Sequence, residues 1–150
     1  ENQRGMKCGN PYLDRLAGSF LPCSLPLYDE QERFMGVSTL DIQFNYLARN
    51  VLDLSANPAF RESYLVDEKG RVIVKASDRF RKIARQQTLN TGLELRPYAD
   101  GELQQLMHAH SEGGTLERPG RLLGYIRLNF QGWYYIVEAD AGVLFAEPRP

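Results

Sequence analysis

The sequence predicts an α+β fold: an antiparallel sheet with helices on one face, preceded by a hairpin and a connecting helix. Three observations predict it. Residues 63–75 place Tyr64, Leu65 and Val66 before a polar turn, Asp67-Glu68-Lys69-Gly70, and Val72, Ile73 and Val74 after it. Two β-prone runs flanking a short loop with a glycine for positive φ make a β-hairpin. Residues 43–56 carry Phe44, Leu47, Val51 and Leu54 at helical spacing, which makes an amphipathic helix. Residues 121–137 hold two further β-prone runs joined through Gln131-Gly132, a second hairpin in the same fold.

Taken in order, residues 1–18 are punctuated by Gly5, Gly9, Asn10-Pro11 and Gly18. They read as a loop with one helical turn over residues 12–17. Residues 19–27 are apolar but interrupted by Pro22 and Pro26, the pattern of an edge strand or a strand bent at a bulge. Residues 34–42 form its partner strand, with Gly36 marking a bulge or a close approach. The turn between them, Asp29-Glu30-x-x-Arg33, recurs as Asp67-Glu68-x-x-Arg71, so two hairpins of one kind are expected. Asn57-Pro58 ends the connecting helix, because the residue before proline is driven out of the α region. Asp78 caps a further helix running toward Gln87 and stopped at Thr91-Gly92. After an extended piece through Tyr98, Asp100-Gly101-Glu102 opens a helix carrying Leu103, Leu106 and Met107 that Gly113-Gly114 terminates. Residues 138–146 form a short exit helix. The order after Phe60 is strand, strand, helix, helix, strand, strand, the layout of a PAS-like or profilin-like sheet with helices on one side.

A chain of 150 residues, 43% hydrophobic and 11% aromatic, buries the core of one domain or of one domain plus a fragment of another. Eighteen basic and nineteen acidic residues give a net charge of -1, with neither sign in a long block. That excludes the electrostatic footprint of a nucleic-acid binder. No apolar run approaches the ~18 residues of a membrane span, and the first residues have no apolar signal-peptide core. Glu1 in place of an initiator Met, the polar first ten residues and the AEPRP ending read as an excised piece. Cys8 and Cys23 fit either a disulfide in an oxidising compartment or two unrelated thiols.

With this layout the chain resembles the Cache family of extracytoplasmic sensor domains, in the double arrangement of two PAS-like lobes. The resemblance spans residues 11–146. Asn10-Pro11-Tyr12 followed by Ser24-Leu25-Pro26-Leu27-Tyr28-Asp29 carries it, as do Phe34-Met35-Gly36-Val37 leading to Leu40-Asp41-Ile42, and Ser63-Tyr64-Leu65-Val66-Asp67 with Gly70. Gly132-Trp133 opens the last strand as family members do. The resemblance implies that residues 1–42 belong to a partial membrane-distal lobe lacking the long N-terminal helix. Residues 43–60 then connect, residues 61–146 make the membrane-proximal lobe, and residues 147–150 are a tail. It further implies the periplasmic part of an inner-membrane receptor, working as a homodimer on a small metabolite, with membrane spans outside this chain. The output, whether histidine kinase, chemoreceptor, cyclic-dinucleotide enzyme or serine phosphatase, stays open. A ligand-free module that dimerises or docks a protein is the alternative.

Within that resemblance Asp41 stands where amine-binding distal lobes place a carboxylate for the ligand ammonium, a charge-assisted contact that selects as well as binds. Its plainer role is to cap the helix starting near Gln43. Tyr12 stands where the family places an aromatic near the pocket, or else packs under a loop. In the proximal lobe Tyr98, Tyr125, Arg127, Trp133 and Tyr135 are candidate pocket walls, since aromatic bodies with polar tips suit small-molecule sites. Core packing is the default for each of them. An enzyme lacks parts: His108 and His110, two apart on a helix, diverge rather than share a face. No nucleophile elbow, phosphate loop, zinc helix or dinucleotide motif occurs. The domain is therefore expected to sense rather than to catalyse, with no cofactor.

Overall fold

The computed structural model describes residues 4–14, 18–80, 95–129 and 131–146. Two antiparallel sheets share one apolar seam. The first holds β1 (Lys7–Cys8), β2 (Tyr12–Asp14), β3 (Gly18–Tyr28) and β4 (Phe34–Gln43). Strand β3 is central, with β4 along one edge and β1 and β2 along the other. Its prolines are tolerated there for a reason visible in the pairing. The Pro22 carbonyl accepts from the Gly9 N–H at 2.8 Å, so its missing N–H faces the gap between β1 and β2 rather than the β4 ladder. The helical turn expected over residues 12–17 is corrected at Tyr12–Asp14, which pairs as β2 with Gly18, Ser19 and Phe20. The bulge expected at Gly36 is present: the register shifts between Leu27 and Tyr28, which face Gly36 and Phe34.

Cys8 and Cys23 lie directly opposite each other in the β1–β3 pairing and form a disulfide. Cys23 is buried against Leu21, Ala48 and Leu52, so the bridge pins the short β1 to the core.

The connecting helix is shorter than its apolar stripe suggested. It runs as α1 (Phe44–Asn50), after which the N–H groups of both Val51 and Leu52 converge on the Leu47 carbonyl at 3.0 Å. The second bond spans five residues and so widens the last turn, which brings Leu52 fully into the core and leaves Val51 exposed. The Leu52 carbonyl then accepts from the buried Ser63 hydroxyl at 2.6 Å, a tertiary bond that replaces the next helical one. Asn57 closes the following turn, its side chain accepting from the Ala59 N–H.

The second sheet contains β5 (Phe60–Val66), β6 (Val72–Lys75), β7 (Gly113–Arg118), β8 (Arg121–Arg127) and β9 (Tyr134–Asp140), in the order β6-β5-β9-β8-β7. The two hairpin turns repeat in three dimensions. Asp67 accepts from the Lys69 and Arg71 N–H groups and pairs with the Arg71 side chain. Asp29 does the same with Gln31 and Arg33. Gly70 takes the positive φ in one turn, and Glu32 takes it at 62° in the other.

Helix α2 (Gly101–Ala109) starts where expected, capped by the Asp100 carboxylate on the Leu103 N–H. Its end is corrected. The Tyr125 hydroxyl donates to the His110 carbonyl at 2.5 Å and lies 3.1 Å from that of Leu106, closing the helix before Gly113. The two glycines are instead the first residues of β7, a strand the sequence reading lacked. A Cβ on Gly114 would sit 3.0 Å from the Tyr125 ring and hydroxyl, so glycine is needed for that tyrosine to reach the helix end. The exit helix is likewise cut to α3 (Ala141–Leu144), because residues 138–140 complete β9. The β8–β9 link is longer than two residues, with Leu128 bonded to Trp133 across it. The helix expected from Asp78 toward Gln87 lies largely outside the described residues. Within them the chain makes a 3-10 helix, Ala76–Phe80, and Asp78 accepts from the N–H of Lys75, at the end of β6.

One core, Leu21, Cys23, Ala48, Leu52, Leu65, Ile73, Val74, Ala76 and Trp133, fills the space between the first sheet, α1 and one face of the second sheet. The other, built on Val66, Tyr98, Leu103, Met107, Leu123, Tyr125 and Ile136, lies under α2 on the opposite face. Among the described residues no helix is long and apolar enough to cross a membrane.

Candidate functional site

Tyr12 and Asp41 come together on the face of the first sheet turned away from α1. Tyr12 faces Phe20 across the β2–β3 pairing and stacks on it, ring centroids 5.7 Å apart. Asp41 faces Pro22 across β3–β4, on the same side by the two-residue alternation of a strand. The Tyr12 phenol lies beside the Asp41 carboxylate, and its pKa is raised by desolvation first and then by its interaction with Asp41. Asp41 is exposed and does not cap α1: the cap position is Gln43, with no side-chain bond to the helix. An exposed carboxylate beside a phenol and an aromatic floor offers acceptor oxygens to a cationic group.

The proximal candidates divide between the two faces of the second sheet. Tyr98 is buried, its hydroxyl donating to Glu138 Oε1 at 2.7 Å. Its ring meets Tyr64 edge-on at 5.0 Å, and the same Glu138 charge acts on Tyr64. Burial first, then the Glu138 bond and charge, raise the Tyr98 pKa far above the ordinary phenol range, and burial with the Glu138 charge does the same to Tyr64. Arg121 stands 3.9 Å from the other Glu138 oxygen. Tyr125 lies in the same core with its hydroxyl committed to α2. Arg127 shares that face at the sheet's end, exposed beside a shallow cleft of about 230 Å³ lined by Glu112, Leu128, Asn129 and Gly132. Trp133 and Tyr135 point the other way, into the seam with α1. The structure thus joins Tyr98 to Tyr64 and Glu138, neither of which the sequence reading named as a site residue. The signal for Glu138 was its alternation with the buried Ile136, two residues before it in β9.

No family model and no curated protein matches the sequence. Solved structures do match its fold. The periplasmic sensory domain of the Campylobacter jejuni chemoreceptor Tlp1 superposes with a TM-score of 0.59 at 13% identity, over 99% of this chain and 53% of that one. The extracellular domain of the reported histidine kinase rpHK1S-Z16 gives 0.54 at 20% identity, over 98% and 58%. That of vpHK1S-Z8 gives 0.56 at 14%, over 96% and 53%. The chain has the fold of these sensory domains. It spans about half the length of the solved structures it matches. The α+β, PAS-like architecture expected of a Cache-like sensor is therefore the observed one.

Proposed function

We propose that this chain is the extracytoplasmic sensing part of a transmembrane signalling receptor, and that it binds a small metabolite carrying an amine. Residues 1–42 belong to its membrane-distal lobe and residues 61–146 to its membrane-proximal lobe. The observation that supports the ligand class most is the exposed Asp41 carboxylate on the same sheet face as the Tyr12–Phe20 stack. A ligand ammonium placed there gains a charge-assisted bond to the carboxylate and stacks its carbon skeleton on the aromatic floor. The chain itself needs no catalysis for this role; it works as a homodimer, and any catalytic output lies in another part of the receptor.

Thermal melting against amino acids, amines, short carboxylates and purines tests the reading. A ligand at about a hundred times its dissociation constant adds roughly 2.7 kcal/mol. At ~2–4 °C per kcal/mol the midpoint rises about 5–10 °C. The proposal expects that rise for amines and amino acids, and its loss in Asp41→Asn. A response only to compounds without an amine contradicts it.

A further inference from the structure

The chain enters the second sheet through residues 57–59 and leaves it through α3, and the two passages meet at Asp140. The Asp140 N–H donates to the Ala59 carbonyl at 2.7 Å, and the next N–H, that of Ala141, donates to the Gly120 carbonyl in the β7–β8 turn at 3.1 Å. The two oxygens of the Asp140 carboxylate are divided. Oδ1 caps α3 on the Val143 N–H at 3.1 Å, and Oδ2 accepts from the Arg61 guanidinium. A bulge makes the Arg61 contact. Phe60 pairs with Ala139 and Glu62 with Glu138, which leaves Arg61 as the extra residue of β5. Strand alternation with Ser63 and Leu65, both buried on the α1 side, would carry Arg61 into the seam. The bulge turns it out to the carboxylate instead.

Helix α3 has little else to hold it. It is four residues long with none of them buried, and Val143 and the following Phe145 are 47 and 69% exposed. So short a helix does not persist alone, and an element docked by a few polar bonds is among the first to open. We propose that the Arg61–Asp140 clasp couples the entry of the chain into β5 to the exit through α3. While Arg61 holds Oδ2, Oδ1 is fixed where it caps the helix. A displacement of residues 57–61 moves both partners of Asp140, the Ala59 carbonyl and the Arg61 guanidinium, and so frees α3. Under the proposed function the clasp joins the distal lobe to the chain beyond the sheet. It is tested without a ligand and stands or falls apart from the ligand reading.

The test is hydrogen–deuterium exchange of the 150-residue chain, read by mass at residues 141–146. Arg61→Gln should speed exchange there roughly two- to five-fold, the range of an exposed ion pair, and move the melting midpoint by no more than about 2–4 °C. Asp140→Asn keeps a capping side chain and should match it, and the double variant should exceed neither. Asn57→Ala removes the side-chain bond to the Ala59 N–H at 3.0 Å. It should speed exchange at residues 141–146 in the parent chain but not in Arg61→Gln, a result that coupling gives and a merely structural ion pair does not. Unchanged exchange at residues 141–146 in Arg61→Gln overturns the clasp, as does a rise spread over the whole chain. An Asn57→Ala effect that is absent from the parent, or equal in both backgrounds, overturns the coupling.

Discussion

Breaking the Cys8–Cys23 bridge is expected to lower stability by about 3 kcal/mol. The bridge closes a loop with a sequence separation of 15, and the chain-entropy relation assigns roughly 3 kcal/mol to a loop of ~15 residues at 25 °C. Little offsets that loss, because β1 is two residues long and its one strand partner among the described residues is β3. Freed from the bridge, β1 should detach and expose Cys23, which is 3% exposed in the seam with α1. At ~2–4 °C per kcal/mol for a chain of this size, the midpoint should fall by about 6–12 °C. The assay is a pair of melts, oxidised and fully reduced, with Cys8→Ala/Cys23→Ala as the control that holds no thiols. Alkylation followed by mass measurement establishes which state each melt reports. An oxidised chain that alkylates at both cysteines without reductant refutes the pairing. A reduced chain that melts within a degree or so of the oxidised one refutes the role given to it.

Glu32→Gly should stabilise the chain by about 1 kcal/mol in urea unfolding, because Glu32 holds φ at 62° and a non-glycine residue there costs on the order of 1–3 kcal/mol; an unchanged or lower stability contradicts this. The Asp100 pKa is lowered, first by the Arg118 hydrogen bond and then by its cap to the Leu103 N–H. A depressed carboxyl contributes stability above the unfolded value of ~3.9 and loses it as pH falls through the folded one. Asp100→Asn should therefore flatten the acid limb of stability, measured from about pH 5 downward, and a limb of unchanged slope counts against the pair. Tyr98→Phe removes a buried bond to a carboxylate and should cost roughly 1.5–3 kcal/mol. The same variant should remove a phenol that resists ionisation in alkaline absorbance titration, and a titration curve identical to the parent's contradicts that assignment.

What the sequence made legible was local. The Asp67 turn and its twin at Asp29 are written in five consecutive residues each, and both fold as the spacing says. The start of α2 was legible for the same reason, since Asp100 lies three residues from the N–H it accepts. Strand β7 was not, because Gly113-Gly114 signals a helix stop until the Tyr125 ring is known to need the space. The end of α1 depended on Ser63, eleven residues away. For the site, Tyr12 and Asp41 followed from the family resemblance, and no periodicity links them. Glu138 is 40 residues from the Tyr98 hydroxyl it accepts, and its apparent place at a helix start hid its strand alternation. Period two placed Trp133 with Tyr135 and Tyr125 with Arg127 correctly, while which face each pair meets was decided by α1 and α2.

The most direct measurement is calorimetric titration of the amine or amino acid giving the largest melting shift into the parent chain, Tyr12→Phe and Asp41→Asn. The account predicts one site per chain, affinity reduced on losing the phenol beside the carboxylate, and no measurable binding once the charge is gone. Full affinity in Asp41→Asn would contradict it and move the ligand elsewhere.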